Sequence, residues 1–247
     1  MKTLALYNIK GGVGKTTAAV NLAYLAAKSG ANTLVWDLDP QGASSFYFRI
    51  KPKVKGGSKQ LIAGKREIDE LIKGTDYDNL DLLPADFSFR NLDIILDDEK
   101  KSTSRLNKLI KPLKTQYDYI FLDCPPNISL LSECVFNAAN TLISPVIPTT
   151  LSLRTLEQLQ KFIHKNNPKT LQLMPFFSMV DRRKRLHREI LESLPKSVPS
   201  FLNTAIPYAS DVEKMGLERS ALFSFKPKSR SAHAYRALWE EIEERLL

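Results

Sequence analysis

Short, almost wholly apolar runs punctuate the chain from its start: Thr3–Tyr7, Thr33–Asp37, Tyr119–Asp123, Thr141–Val146 and Leu171–Phe177. Runs this short and continuous, without polar alternation, predict strands buried on both faces of a sheet. Between them, apolar positions recur at helical spacing over Lys15–Ser29, Ser129–Ala138, Ser152–Asn166 and Asp181–Leu194, and a last helix is expected over Ala232–Leu247. Gly30 stands where a glycine would close the first helix. The alternation predicts an α/β fold, a doubly wound and mostly parallel sheet with helices on both faces. With no repeat, low-complexity tract or linker, residues 1–247 are expected to form a single domain.

One stretch breaks this rhythm. Arg49–Thr75 carries Lys51, Lys53, Lys55, Lys59, Gly56, Gly57 and Gly64 and few apolar residues, so it reads as an exposed insertion.

At 43% apolar and 26% charged residues, the composition excludes a disordered chain, a collagen or a disulfide scaffold. The 36 Lys and Arg against 27 Asp and Glu leave a formal charge of +9, which favours a phosphate-rich polyanion as partner. Two cysteines, Cys124 and Cys134, point to a reducing compartment, with Cys124 buried and inert. Met1–Tyr7 lacks the features of a signal peptide, and no apolar run approaches the roughly 20 residues that span a bilayer. A cytoplasmic location without membrane attachment is expected, since Glu240, Glu241, Glu243 and Glu244 make the last helix a poor membrane anchor.

The densest chemistry lies in Lys10-Gly11-Gly12-Val13-Gly14-Lys15-Thr16-Thr17, after the first expected strand and opening the first expected helix. That placement is what a P-loop requires. Phosphate oxygens need several close donors; glycines let backbone N–H groups converge on them, and the helix N-terminus adds a favourable dipole. Lys15 then serves the β- and γ-phosphates as a point charge, Thr16 offers a hydroxyl to magnesium, and Thr17 donates toward the α-phosphate. The bland alternative, a turn that holds nothing, leaves the lysine and threonines unexplained.

Asp37 and Asp39, in Asp37-Leu38-Asp39-Pro40-Gln41, fall at the C-terminal edge of the second strand, where doubly wound folds bind ligands. Two apart on an extended chain, they are expected to point the same way. Beside a triphosphate such a pair is repulsive unless magnesium and lysine offset it, which suits a metal–nucleotide site. Asp123 closes the apolar strand of Tyr117–Pro126 in the Walker B arrangement, placed to bind a magnesium-coordinated water.

Lys10 exceeds what a P-loop needs. Lys10-Gly11-Gly12-x-Gly14-Lys15-Thr16 resembles the deviant Walker A motif of the ParA/MinD group of P-loop ATPases. Asp37–Gln41 is similar to the family's second motif, and Asp123-Cys124-Pro125-Pro126 to ParA-type sequences specifically. The resemblance runs in blocks from Met1 to Gln160 and returns at Ala205-Ile206-Pro207-Tyr208 and in the last segments. It implies an ATPase using ATP and Mg2+, with a homodimer formed on ATP binding in which Lys10 reaches the opposite subunit's nucleotide. It further implies that Asp39 positions the attacking water, that Asp37 supports the metal's shell beside Thr16 and Asp123, and that Met179 faces Pro207 and Tyr208 across an adenine pocket. Slow turnover stimulated by a ParB-like or other cargo adaptor is implied too, in partition or positioning of a plasmid, chromosome region or large protein cargo on the nucleoid.

Basic residues cluster at Arg182-Arg183-Lys184-Arg185 with Arg188, and at Lys226, Lys228 and Arg230. Such clusters hold phosphate backbones without reading sequence. The second resembles the ParA tail before the final helix, in a region the family uses for nonspecific DNA binding, so Arg182, Arg183, Lys226, Lys228 and Arg230 are the candidate DNA contacts. The first cluster also reads as the solvated face of Asp181–Leu194. No helix-turn-helix precedes the P-loop, so operator specificity is not expected. Asp211–Ser224 is shorter and less regular than the family pattern. Two rival readings are a MinD-like nucleotide-switched ATPase acting at a membrane or protein partner without DNA, and a metabolic P-loop enzyme that activates a small substrate.

Overall fold

The structure, a computed structural model, describes residues 1–65, 67–98, 102–166 and 171–246. Arg66, within the basic stretch, and Leu247, at the end of the last expected helix, lie outside the described residues.

The strands are β1 (Lys2–Leu6), β2 (Thr33–Asp37), β3 (Lys73–Gly74), β4 (Leu80–Leu83), β5 (Tyr119–Asp123), β6 (Thr141–Val146), β7 (Gln172–Val180) and β8 (Ala205–Pro207). They form one eight-stranded sheet in the order β3-β4-β2-β5-β1-β6-β7-β8. The pairings are parallel except β3 with β4. The chain leaves β1, crosses over β5 through helix α1 (Lys15–Lys28) and enters β2, while β6 lies on the other flank of β1. The switch in direction opens a crevice beyond the carboxyl ends of β1, β2 and β5. Register then sets the chemistry, because Asp123 is level with Leu6 on one side and Asp37 on the other.

Each sheet face is covered. Ala18, Ala19, Ala23 and Ala26 on α1 are fully buried, and such small side chains let the helix lie close against the strands beside Leu238 and Trp239 of the last helix, Arg230–Leu246. The other face packs Trp36, Ile120 and Leu122 against Leu131 and Val135 of Leu130–Ala138 and Leu159 of Thr150–Asn166. Among the described residues, no helix is long and apolar enough to cross a membrane.

Most expected elements appear within a residue or two, and three differences have physical reasons. β7 runs on to Val180, pairing with β8 at Val180 and Pro207. The helix expected from Asp181 begins at Arg185, because the Asp181 carboxylate accepts from the Arg183 N–H at 3.1 Å and the Asp181 N–H donates to His187 Nδ1 at 3.1 Å, closing a turn. The stretch Arg49–Thr75 is no exposed insertion. It holds the helix Gly57–Ile62 and the turn Ile68–Leu71, and buries Val54, Leu61, Ile62, Ile68 and Leu71 in the core shared with Trp36. Asp86 accepts the Val54 N–H at 2.8 Å and Ser88 Oγ accepts the Ser58 N–H at 2.8 Å, tying it to the body. Its apolar residues are few, but they face inward. Between Asp211 and Ser224 stand the short helices Ser210–Glu213, Met215–Glu218 and Leu222–Phe225, with Met215, Leu222 and Phe223 buried.

Candidate nucleotide site

The loop Lys10–Gly14 leaves β1 and delivers α1. Asn8 holds its start, donating to the Pro145 carbonyl at 2.9 Å and accepting the Lys10 N–H at 2.8 Å. Gly14 has φ +94, and a Cβ there would stand 3.0 Å from Ser178 Oγ, so both the turn and the tight approach need glycine. Among the described residues no side chain caps α1, so its first N–H groups are left for a ligand at the crevice.

Lys15 is only 7% exposed and its Nζ donates to the Lys10 carbonyl at 3.2 Å. Burial pushes its pKa down, while Asp123 and Asp39 oppose that shift. Asp123 is fully buried: Oδ2 accepts from Ser44 Oγ at 2.7 Å, whereas Oδ1 has no hydrogen-bond partner among the described residues. Burial raises the Asp123 pKa to about 6, against lowering from Ser44, the nearby Thr16 hydroxyl and Lys15. Asp37 is pushed up to about 8, by burial first and then by Asp123. Two buried carboxylates at one level of the sheet cannot both ionise cheaply without a cation.

The aspartates do not point the same way. β2 ends at Asp37, so the two-residue repeat stops there. Asp37 turns inward, where Oδ2 accepts from the Ser45 N–H and hydroxyl at 2.8 Å each and Oδ1 from the Asp39 N–H at 3.3 Å. Asp39 faces the crevice, its carboxylate accepting the Gln41 N–H at 2.9 Å. A cavity of about 300 Å³ there is lined by Gly11, Gly12, Val13, Gly14, Lys15, Thr16, Thr17 and Asp39, with Ala43, Tyr47, Pro126 and Met179 completing it. Lys10, immediately before the lining Gly11, is exposed and is not part of that lining.

Magnesium fits these residues. The unpartnered buried oxygen of Asp123 beside the Thr16 hydroxyl is an oxygen-donor set with a coordination gap. Among the described residues no group of three or more His, Cys, Asp or Glu could hold a metal.

Met179, Pro207 and Tyr208 come together in a second pocket that shares Gly14, Thr17 and Met179 with the first. Met179 itself has φ +54, a left-handed backbone that is costly without glycine and turns its side chain between the two pockets. Beyond Tyr208, a cavity of about 640 Å³ is lined by Arg182, Arg183 and Arg230 together with Pro207 and Tyr208. Arg183 is doubly bonded to Asp181, at 2.9 Å through Nε and 2.9 Å through Nη2. Lys226 and Lys228 are exposed outside that lining, on the turn before the last helix. Cys124 is buried and free, its thiol pKa raised well above normal by burial.

Ser44, Ser45 and Tyr47 were not legible as site residues. They belong to the short helix α2 (Ala43–Tyr47), where Ser45 Oγ also accepts the Ala85 N–H at 3.0 Å. The available signal was position alone, immediately beyond Asp39-Pro40.

A glycine loop between a central parallel strand and a helix, with a buried lysine facing carboxylates from two neighbouring strand ends, defines a P-loop nucleotide-binding protein of the doubly wound α/β class. A family model described as an AAA domain, AAA_31, matches residues 1–173. The chromosome-partitioning ATPase Soj of Treponema pallidum is 31% identical over 98% of this chain and 96% of its own. The chain belongs to the ParA/MinD family of deviant Walker A P-loop ATPases. In fold it is similar to a plasmid partition protein from Borrelia burgdorferi B31 bound to AMPPNP, with TM-score 0.84, 23% identity and 99% of both chains covered. It is also similar to a cobyrinic acid a,c-diamide synthase from Mycobacterium smegmatis with bound ADP and magnesium, with TM-score 0.82, 24% identity, and 100% of this chain and 95% of that one covered.

Proposed function

We propose that this chain is a ParA-type partition ATPase, acting as a single domain that binds Mg·ATP, dimerises on it, holds DNA nonspecifically and is reset by hydrolysis. The observation that carries the reading is the cavity in which Lys15 and Asp39 face each other across the uncapped N-terminus of α1, backed by the buried Asp123. In the reaction, water attacks the γ-phosphorus, the bond to the β-phosphate oxygen breaks, and ADP leaves. Lys15 and the N–H groups of the loop neutralise charge on the leaving and transferring phosphates. Asp39, exposed to the crevice, orients the water. Asp37 keeps Asp39 and α2 in place through Ser45 and the Asp39 N–H. Magnesium, held by Thr16 and by Asp123 directly or through water, would offset charge between the β- and γ-phosphates.

Lys10 is exposed just before the cradle's first glycine, which suits a cation serving the nucleotide of a second subunit. Arg182, Arg183 and Arg230 converge on the cavity beyond the base wall formed by Met179, Pro207 and Tyr208, while Lys226 and Lys228 extend the basic surface. DNA contacts would thus adjoin the nucleotide, linking ATP occupancy to binding. A ParB-like or other cargo adaptor raises the slow basal turnover, and the protein works in the cytoplasm on the nucleoid. The relatives named for partition support this role over a metabolic one.

The test is Asp39→Ala with ATP. It should give a stable dimer by light scattering that retains random-sequence duplex DNA, with phosphate release abolished. Unchanged hydrolysis in this variant would refute the role of Asp39, and DNA retention independent of ATP would refute the switch.

A further inference from the structure

The basic stretch that the family pattern does not absorb builds a cavity of its own. About 600 Å³ in volume, it lies at the edge of the sheet, shares no lining residue with the nucleotide crevice, and is lined by Ile50, Val54, Leu71 and Pro84 below and by Lys51, Lys53, Lys55 and Lys73 around. Glu70 is the acid on that lining. The four lysine side chains are exposed, and among the described residues none has a carboxylate oxygen within 4.0 Å. β3 supplies Lys73 and Gly74, and as the terminal strand it leaves its outer edge open.

We propose that this cavity docks an extended acidic peptide segment of a partner protein, with an apolar side chain seated on the Ile50–Leu71–Pro84 floor and carboxylates against the lysine rim. This rests on the ATPase reading only for its consequence, not for its binding. Charge complementarity fixes the sign of the occupant. The concave carbon floor argues for a peptide over duplex DNA, whose phosphates need cations but no apolar pocket, and over a lipid surface, which presents no segment narrow enough to enter. The open edge of β3 suits a chain that brings its own backbone donors and acceptors.

The site also touches the chemistry. Pro84 in its wall precedes Ala85, whose N–H is accepted by Ser45 Oγ, and that hydroxyl donates to Asp37. On the other side Pro52 packs on Gly42, where an added Cβ would stand 3.0 Å from the Pro52 ring. A peptide seated here therefore bears on both ends of the loop carrying Asp39, and its consequence is altered hydrolysis.

The experiment uses a fluorescein-labelled ten-residue peptide of alternating glutamate and leucine, with an alternating lysine–leucine peptide, random duplex DNA and anionic phosphatidylserine vesicles as competitors. Fluorescence anisotropy is measured without nucleotide, so failure of the ATPase reading leaves this result intact. Saturable binding is expected, weakened about ten-fold or more in Lys51→Glu/Lys55→Glu/Lys73→Glu. Ile50→Asp should weaken it comparably, with circular dichroism unchanged in both variants. Hydrolysis by the intact protein should change with the acidic peptide and not with the lysine–leucine one. Binding that survives both variants, or that DNA or vesicles abolish in the parent chain while leaving the triple variant unaffected, overturns the proposal.

Discussion

The phosphate cradle and the lysine-rimmed cavity are both built around cations, yet they hold them in opposite ways. Lys15 is 7% exposed, and Asp123 and Asp39 counter the cost of its burial. The lysines at the sheet edge stand in water and, among the described residues, none is ion-paired within 4.0 Å, although Lys53 helps hold the Asp86 carboxyl below its ordinary range. A buried charge is tied to its counter-charges and to a ligand that completes them, whereas exposed charges cost nothing to keep and wait for a partner. The contrast is broken most directly by removing one cation from each. Lys15→Ala should weaken nucleotide binding by about 100-fold or more, since it deletes a desolvated cation and strands buried carboxylates. Lys51→Ala should leave nucleotide affinity unchanged. Calorimetric titration with a nonhydrolysable ATP analogue measures both, and equal losses would erase the distinction.

The same stretch that exposes lysines also hides leucines. Leu61 is 1% exposed in the core with Trp36, so Leu61→Ala should cost about 2–5 kcal/mol in urea unfolding. A truly solvated insertion predicts a change within about 0.5 kcal/mol, which is also the expectation for exposed Lys59→Ala. A small loss in the leucine variant would return the segment to the status of a loop.

Where the chain was legible, one physical signal dominated. β2, β5 and β6 lie where continuous apolar runs put them, and the P-loop reads from glycines, a lysine and threonines whose joint presence has few other uses. Arg49–Thr75 misled because counting apolar residues says nothing about direction, and five well-aimed side chains made a core out of a basic stretch. β3 and β8, two and three residues long, carry too few side chains to show a period. Asp37 and Asp39 misled for a related reason, since alternation along a strand is a rule about extended backbone and β2 ends at the first of them. The serines of α2 were invisible because hydroxyls are common, and only the fold brings Ser44 to Asp123 and Ser45 to Asp37.

The smallest expected effect is proton linkage within the cradle, and it can be read without nucleotide. With folded pKa values of about 8 for Asp37 and about 6 for Asp123, both carboxyls bind protons in the native state that the unfolded chain, at about 4, has already released. Their stabilising contribution is therefore complete below about pH 4 and drains away as pH rises through the folded values. In chelated, nucleotide-free protein, this pair should lower stability by at most about 1.4 kcal/mol per pH unit per proton between pH 6 and 8. Asp37→Asn should flatten that slope. Ser45→Ala removes the hydroxyl that donates to Asp37 and accepts from the Ala85 N–H, leaving the Ser45 N–H, and so should raise the pH at which the slope ends. Thermal unfolding of the parent and the Asn variant across pH 5.5 to 8.5 decides it, for parallel curves would mean that the cradle tolerates two ionised carboxylates and that its buried charges are as independent as those at the sheet edge.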